Sequence, residues 1–418
     1  MRPPLHRLRP FSLLLAFSIG ALACSESVRC EAGLCPIGMV CDGDTGRCVD
    51  APAAADATPR LSGRYALLGL GADRHAIVGY SPARRSVAYI EHAGDEVSVS
   101  FVAGEATDDG LPAGDVVDAV ADEAGVVHVA WVRRSDGSLW YGRREGGTWL
   151  RERVTAIAPH RPGDRLALAL WNGVPTVAFD EIGTGRLFST ARANDGTWTA
   201  EEVPLPPDVD GKVARVGGTL VASAQAGSLT LAFYEPGGGD LVIATRTAAW
   251  VASRLVGRAA DGTTDAGDAG RPCALARDTK GGLVVAYRDR SANSVRLLRS
   301  AAGAAADSLV DDGAYTDALT GVVRRDLVGT ALDVVRMAGG GLAVAWQDAS
   351  RARLRLAVEA SNGQLQEVDL PATNRPQLRP RLLAQADGSL LLAWLELDGE
   401  QPGGRVAELR WTPLGGAE

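Results

Sequence analysis

A short pattern of hydrophobic positions recurs along the chain: an apolar residue, a small residue, and then an aromatic residue. The seven copies are Val78-Gly79-Tyr80, Val129-Ala130-Trp131, Val177-Ala178-Phe179, Leu231-Ala232-Phe233, Val285-Ala286-Tyr287, Val344-Ala345-Trp346 and Leu392-Ala393-Trp394. Successive aromatic residues are 48 to 59 positions apart. Each copy has the composition that strands favour and is followed by polar residues, so it predicts the centre of a β-strand.

The surroundings of the second copy show what one repeat contains. Apolar runs at 116–120, 126–131, 139–142 and 148–150 are separated by Gly- and Asp-containing turns. Repeats of about 50 residues with four short strands each are typical of a β-propeller, in which every repeat is one blade. The small residue before the aromatic leaves room for a neighbouring sheet to pack closely against the strand. The pattern therefore predicts an all-β, seven-bladed propeller over residues 61–418.

The last repeat poses a problem for closure of the ring. Its predicted strands lie near 380–385, 389–395 and 404–411, and too few residues follow for a fourth strand. Residues 57–62 are predicted to supply that strand from the other end of the chain, although Pro59 restricts them to an edge position. The alternative is a last blade of three strands.

The first 23 residues have the pattern of an export signal, with three arginines before the apolar run 11–22. The run is too short to span a membrane as a helix. It ends in Ala21-Leu22-Ala23-Cys24, which resembles the lipobox of bacterial lipoproteins. That resemblance implies a lipid on Cys24 and a membrane anchor at the outer membrane, periplasm or cell surface. Cleavage by ordinary signal peptidase is the alternative.

Four cysteines follow within residues 24–50: Cys30, Cys35, Cys41 and Cys48. An even number of cysteines in an exported segment predicts two disulfides. Of the three pairings, 30–41 with 35–48 is preferred and the other two stay open. The spacing lacks the C-x2-C pairs of zinc sites, so we do not predict a metal here. The segment resembles EGF-like or dickkopf-like cysteine modules.

The remaining segments complete the predicted organisation. Residues 51–60 are rich in Ala and Pro and predict a linker between the cysteine segment and the propeller. Cys273, the remaining cysteine, lies in an apolar stretch and is predicted to be a buried thiol. The net charge of −8 becomes −11 once residues 1–23 are removed. Such an acidic chain is not expected to bind nucleic acid or to hold anionic lipid through a basic face.

Candidate binding residues lie on the loops that join the second and third strands of each blade. Together with the connections between blades, these loops form one face of a propeller, where function usually resides. They are dense in charges of both signs. We therefore predict a polar pocket at this face for a sugar or a carboxylate ligand, with Arg133, Arg288, Asp289, Arg290 and Asp348 as first candidates.

Two further stretches, Gly147-Thr148-Trp149 and Gly196-Thr197-Trp198, resemble the end of the Asp-box repeats of sialidase-like propellers. Ser135-Asp136-Gly137 and Asn194-Asp195-Gly196 depart from the Asp-box spacing Ser-x-Asp-x-Gly-x-Thr-Trp. The resemblance implies, as an alternative function, a carbohydrate-active enzyme or a lectin. Sialidase chemistry uses three arginines with a Tyr–Glu pair and an acidic residue, and spacing alone does not reveal such a pair in this chain.

Other catalytic patterns are missing from the sequence. It contains no G-x-S-x-G nucleophile turn, no H-E-x-x-H metal motif and no phosphate-binding loop. We therefore predict a monomeric, lipid-anchored recognition or scaffold module without catalytic residues, metal or cofactor. Its predicted partners are a protein or a glycan at the bacterial envelope.

Overall fold

The chain divides into two units, Met1–Ala57 and Thr58–Glu418. The computed structural model describes residues 39–42, 47–50, 58–71, 73–107, 110–154, 159–206, 214–225, 227–256, 267–301, 304–317, 319–371, 373–397 and 403–412. In the first unit, strands β1 (Met39–Asp42) and β2 (Arg47–Asp50) form an antiparallel hairpin. Its register sets Cys41 opposite Cys48. Cys24, Cys30 and Cys35 lie outside the described residues, so the lipid anchor and the two disulfides stay predictions.

The second unit contains seven antiparallel sheets of three or four strands, numbered here as blades along the chain, and one two-stranded hairpin. Blade 1 consists of β3 (Ser62–Gly69), β4 (Arg74–Ser81), β5 (Ser86–Ala93) and β6 (Glu96–Gly104). Blade 2 consists of β7 (Val117–Ala121), β8 (Val127–Arg133), β9 (Ser138–Glu145) and β10 (Thr148–Arg153). Blade 3 consists of β11 (Pro162–Trp171), β12 (Val174–Glu181), β13 (Leu187–Arg192) and β14 (Trp198–Val203). Blade 4 consists of β15 (Gly217–Gln225), β16 (Ser228–Glu235), β17 (Asp240–Arg246) and β18 (Trp250–Val256).

The remaining strands follow the same order with one insertion. Blade 5 consists of β19 (Ala269–Arg277), β20 (Leu283–Asp289), β21 (Ser294–Ala301) and β22 (Ala304–Asp311). A small hairpin, β23 (Ala314–Thr316) and β24 (Val323–Arg325), separates blades 5 and 6. Blade 6 consists of β25 (Val328–Arg336), β26 (Leu342–Asp348), β27 (Arg353–Glu359) and β28 (Leu365–Val368). Blade 7 has three strands, β29 (Gln377–Ala384), β30 (Leu390–Glu396) and β31 (Arg405–Trp411).

The first strands of the seven blades form a closed ring. Each of β3, β7, β11, β15, β19, β25 and β29 contacts the next, and β29 contacts β3. This arrangement confirms the predicted seven-bladed propeller. Every copy of the aromatic pattern lies in the second strand of its blade. The described residues contain no helix, and accordingly none that is long and apolar enough to cross a membrane.

Blade 7 meets blade 1 at a contact that we call the seam. Of the described residues 58–62, Leu61 alone pairs with blade 7, through a bridge in which Leu61 and Gly404 exchange backbone hydrogen bonds of 2.9 and 2.8 Å. The three-stranded alternative is therefore the observed one, with a single residue in the place of the fourth strand. Pro59, two positions earlier, has no N–H to donate to such a ladder.

The seam also explains why blade 1 carries Gly79 where the other six blades carry Ala. A Cβ on Gly79 would come within 2.9 Å of Leu61 Cδ1 and 3.0 Å of Tyr65 Cβ. Leu61 and Tyr65 are both buried at the seam and fill the space that a methyl group would need. The small position of the repeated pattern is thus set by how closely the neighbouring chain approaches.

Candidate functional site

The first strands of six blades carry β-bulges near their beginnings. The irregularities fall between Ser62 and Tyr65, Pro162 and Leu166, Gly217 and Leu220, Ala269 and Cys273, Val328 and Leu332, and Leu378 and Arg381. A bulge leaves residues unpaired and re-aims their side chains, and it is common beside binding sites. Here the bulges lie at one end of the ring, around its axis.

A cavity of about 460 Å³ lies among these bulges. Its lining includes Arg64, Arg165, Arg379 and Arg381 from the first strands, and Arg134 from the loop that joins the second and third strands of blade 2. Asp115, Asp164, Thr219, Thr330 and Cys273 also contribute to its wall. The volume is in the range of small-ligand sites. We call this space the axial cavity.

Arg64 reaches across the ring inside the axial cavity. Its Nη1 donates hydrogen bonds to the carbonyl oxygens of Leu166, at 3.1 Å, and Leu220, at 2.6 Å, which belong to blades 3 and 4. Its Nη2 lies 3.4 Å from an oxygen of Asp118 in blade 2. Burial lowers the pKa of Arg64 from its usual value. One side chain of blade 1 thereby joins three other blades at the bottom of the cavity.

Two aspartates occupy matching positions on opposite sides of the ring. Asp118 accepts a 2.9 Å hydrogen bond from the backbone N–H of Leu168, one blade further on. Asp333 accepts a bond of the same length from Leu382. Burial raises the pKa of Asp333, while Arg381, 3.7 Å away, acts against that rise. Each aspartate thus joins two blades.

The other arginines of the cavity are held by acidic partners. Arg165 lies 2.8 Å from Asp180 and donates a 3.1 Å bond to the carbonyl oxygen of Gly218. Arg134 contacts both Asp115, at 2.9 Å, and Asp164, at 2.7 Å. The guanidinium groups of Arg134 and Arg165 thus bond to other groups of the protein, and these contacts fix the position of each guanidinium.

Arg379 differs from all of these. Its guanidinium makes no hydrogen bond or ion pair with any described residue, although the side chain is exposed within the axial cavity. Enclosure by the protein and the neighbouring charge of Arg381 lower the pKa of Arg379. Its backbone has φ +56°, a conformation that L side chains rarely adopt.

The bulge position of Arg379 is otherwise occupied by glycine. The equivalent first bulge residues are Gly63, Gly163, Gly218, Gly270 and Gly329, and all of these except Gly163 have positive φ. Residues with a strained backbone cluster at binding sites. Arg379 thus brings an unpaired cation to the cavity at a cost in backbone conformation.

Two more polar groups of the wall have unused hydrogen-bonding capacity. The Oγ1 atom of Thr330 and the Nε atom of Arg64 are buried and have no partner among the described residues. Cys273, in contrast, behaves as the sequence predicts. It is buried, and burial raises the pKa of its thiol to about 12, so the thiol stays protonated at neutral pH.

The five binding candidates from the sequence lie on the predicted loop face, and none of them is among the residues that line the axial cavity. Arg133 is buried, with its guanidinium 4.3 Å from the ring centre of Trp140. Asp348 is fully buried at the end of β26, and burial raises its pKa. These residues end the second strands, one layer outside the ring of first strands.

The remaining three candidates belong to blade 5. Arg288 is half-buried, and burial together with Arg290 lowers its pKa. Asp289 accepts a 2.9 Å hydrogen bond from the backbone of Ala292 and so stabilises its own loop. Arg290 forms a 2.6 Å ion pair with Asp268. A ligand role for these residues stays a prediction.

The fold brings together one cluster that the sequence spacing did not indicate. His75 and His92 are 17 positions apart but are direct partners across β4 and β5. Glu408 of β31 approaches them from blade 7, with its Oε1 2.9 Å from Nε2 of His75 and its Oε2 3.6 Å from Nδ1 of His92. This cluster lies at the seam, away from the residues of the axial cavity.

Comparison with known proteins finds similar solved structures at low sequence identity. No protein-family model and no curated protein sequence matches it. Among solved structures it is similar to a polysaccharide lyase, Uly1, with 9% identity over 86% of this chain and 90% of the lyase at a TM-score of 0.49. It is also similar to a streptogramin B lyase, with 11% identity over 80% and 92% and a TM-score of 0.47. A six-bladed fucose-binding lectin of Aleuria aurantia shares 13% identity over 72% and 96%, with a TM-score of 0.40.

Proposed function

We propose that the propeller is a non-catalytic recognition module that binds a carboxylate-bearing glycan in the axial cavity. The observation that carries this proposal is Arg379, whose guanidinium has no acidic partner among the described residues. Arginine is well suited to this task because its planar donors match the two oxygens of a carboxylate. Arg381 lies beside it in the same wall and adds positive charge.

The size and shape of the cavity favour a sugar over a protein surface. A concave space of about 460 Å³ suits a ligand of small-molecule size. Stable protein partners instead bury about 800 Å² on each side, usually on a broader surface. The wall also contains the half-buried Thr219, whose hydroxyl can bond to sugar hydroxyls. An acidic sugar unit at the end or side of a polysaccharide fits this chemistry.

The proposal includes attachment of the propeller to the bacterial envelope. It rests on the sequence of residues 1–24, which lies outside the described residues. Labelled palmitate added to producing cells should enter the parent protein and should be missing from Cys24→Ala. Equal labelling of the two would contradict the anchor and would leave the proposed ligand site unaffected.

The binding site is tested with a panel of glycans that contains neutral sugars and their uronic-acid counterparts. The parent protein should bind acidic glycans in preference to the matched neutral ones. Arg379→Gly should weaken that binding about ten- to a hundredfold, which is what loss of a charge-assisted hydrogen bond implies. The fold should persist, because glycine is the residue at the equivalent position of five other bulges.

A matched control is Arg85→Gly. Arg85 also has a positive φ, of 46°, but it lies outside the axial cavity and pairs with Glu105 at 2.6 Å. Its substitution should leave glycan binding unchanged. Equal loss of binding in both variants, or binding of neutral sugars only, would contradict the proposed site. Turnover of fluorogenic glycosides by the parent would instead support the alternative, a carbohydrate-active enzyme.

A further inference from the structure

We propose that His75, His92 and Glu408 form a binding site for a divalent transition metal, with Zn²⁺ as its test ion. The donor atoms are Nε2 of His75, Nδ1 of His92 and one carboxylate oxygen of Glu408, and all lie within 4.8 Å of one another. This site is independent of the axial cavity and of the proposed glycan ligand.

The distances are close to those that a small coordination sphere needs. The His75 nitrogen lies 2.9 and 3.1 Å from the two oxygens of Glu408, and the His92 nitrogen lies 3.6 Å from the nearer oxygen. Ligands about 2.1 Å from a tetrahedral zinc ion are roughly 3.4 Å apart. Small side-chain adjustments would therefore suffice to place an ion between the three donors.

The backbone already holds the three side chains close to one another. His75 and His92 are cross-strand partners, and their rings stack with centres 4.6 Å apart. Glu408 lies on β31 of blade 7 and is joined to the histidines through the packed seam. Because the three ligands lie on three strands, their side chains lose little conformational entropy when the ion binds, which favours affinity for the metal.

The donor types select the class of metal. Two imidazoles with one carboxylate suit Zn²⁺, Ni²⁺ and Cu²⁺, whereas Ca²⁺ and Mg²⁺ prefer sets of oxygen ligands. The side chains are 12, 22 and 19% exposed for His75, His92 and Glu408. A water molecule can therefore reach the ion and complete its coordination.

The position of the cluster gives such an ion a structural role. It would link β4 and β5 of blade 1 to β31 of blade 7. At the outer edge of this seam the described residues form one backbone bridge, Leu61 with Gly404. A bound ion would add a further link between the first and last blades and so resist opening of the ring.

The test is titration of the metal-stripped full chain with Zn²⁺, followed by calorimetry and thermal unfolding. The parent should bind an ion that His75→Ala, His92→Ala and Glu408→Gln each weaken at least about tenfold. Saturation should raise the Tm of the parent by about 2–4 °C and leave that of the variants unchanged. Ca²⁺ at the same concentration should have no effect on the parent.

His160→Ala is the matched control. His160 also lies 2.7 Å from a glutamate, Glu181, but has no second histidine with it. Its removal should leave Zn²⁺ uptake as in the parent. Any Zn²⁺ bound by the cysteines in residues 24–48 does not affect this comparison, because all variants share these cysteines.

Glu408→Gln keeps the side-chain shape, so it reports on coordination even where an alanine variant misfolds. Zn²⁺ uptake that all three substitutions leave intact would overturn the proposal, as would a rise in Tm equal in parent and Glu408→Gln. Loss of uptake in the His160→Ala control would also overturn it, because the effect would then not belong to the seam.

Discussion

The contact between blades 2 and 3 and the seam between blades 7 and 1 serve the same purpose, but the seam joins blades from opposite ends of the propeller. Blades 2 and 3 are consecutive in the chain and share a continuous apolar layer. In it Leu139 is fully buried, and the Tyr141 and Trp198 rings meet edge to face at 5.3 Å. Polar links cross this contact as well. Leu168 N–H donates to Asp118 near the axis, Arg134 lies 2.7 Å from Asp164, and Glu152 accepts hydrogen bonds from Arg192 and Trp198 at 2.6 and 2.9 Å.

The seam joins residues that are more than 300 positions apart in the chain, and its polar links include a pair of backbone-to-backbone hydrogen bonds. Tyr65 donates its hydroxyl to the carbonyl oxygen of Arg379 at 2.9 Å, and Arg381 donates to the carbonyl oxygen of Tyr65 at 2.8 Å. The His75–Glu408 contact and the bridge of Leu61 lie further out.

The difference indicates how this ring is closed. Consecutive blades are held near each other by the chain, so their apolar and polar contacts form without closure of a long loop. Blades 7 and 1 must find each other across a long loop, whose closure costs entropy. Directional bonds at the seam compensate for that cost and fix the register. The same residues, Arg379 and Arg381, also line the axial cavity, so closure of the ring assembles the proposed site.

The largest effect is expected from truncation of the side chain that closes the ring. Leu61→Ala should lower the free energy of unfolding by about 2–5 kcal/mol, as buried leucine truncations do. Leu139→Ala, equally buried between blades 2 and 3, should cost a similar amount. Denaturant unfolding of both variants checks this. A loss below about 1 kcal/mol for Leu61→Ala alone would mean that the seam contributes little to holding the ring.

The second prediction concerns a charged contact between blades 1 and 2. Burial by itself would raise the pKa of Glu91, but hydrogen bonds from Arg74, Tyr89 and Arg144 lower it to about 2. Because the folded pKa is below the unfolded value of 4.5, Glu91 stabilises the protein above about pH 4.5 and loses this effect as the pH falls towards 2.

Glu91→Gln should therefore cost roughly 2–3 kcal/mol at neutral pH, and the difference from the parent should shrink between pH 4.5 and 2. Urea unfolding over this pH range measures it. Glu145→Gln is the control, because its ion pair with Arg143 is largely exposed and should matter by less than about 1 kcal/mol. A difference from the parent that stays constant with pH would refute the role assigned to the charge of Glu91.

The architecture could be predicted because it repeats. Seven copies of one short pattern fix seven second strands, and regular turns place the strands around them. Closure was only partly predictable. Residues 57–62 were expected to form a strand, but of the described residues 58–62 Leu61 alone pairs with Gly404, and its side chain enters the seam beside Gly79. Nothing in the sequence pattern reveals such a single bridge.

The site was harder to predict because bulges shift the register. Of the loops after the second strands, the one in blade 2 brings Arg134 to the axial cavity, whereas Arg133 and Asp348 end their strands in buried surroundings. The other cavity arginines come from the first strands, where bulges turn them to the axis. Glycines near the beginnings of these strands were a usable signal, since Arg379 stands where Gly63, Gly218 and Gly329 stand elsewhere.

The third prediction sharpens the comparison at the small position of the repeated pattern. Gly79→Ala should cost about 1–3 kcal/mol, because the new methyl group would overlap Leu61 and Tyr65. In the Leu61→Ala background the same change should cost much less, since the space beside residue 79 is then open. Thermal unfolding of the two single variants and the double variant measures this coupling. Additive losses would mean that Leu61 does not impose the glycine.

The smallest expected change has the opposite sign. Arg379→Gly removes a side chain from a left-handed backbone and from the neighbourhood of Arg381, so it should raise the free energy of unfolding by roughly 0.5–1 kcal/mol. Arg85 also has a positive φ, so Arg85→Gly should give a similar gain in stability, reduced slightly by the loss of its exposed ion pair with Glu105.

Denaturant unfolding distinguishes two interpretations of Arg379. A gain in stability together with weaker glycan binding means that the residue is kept for its ligand at a cost to the fold. A loss of more than about 1 kcal/mol would make Arg379 a structural part of the seam, and the axial cavity would lose its strongest reason to be a binding site.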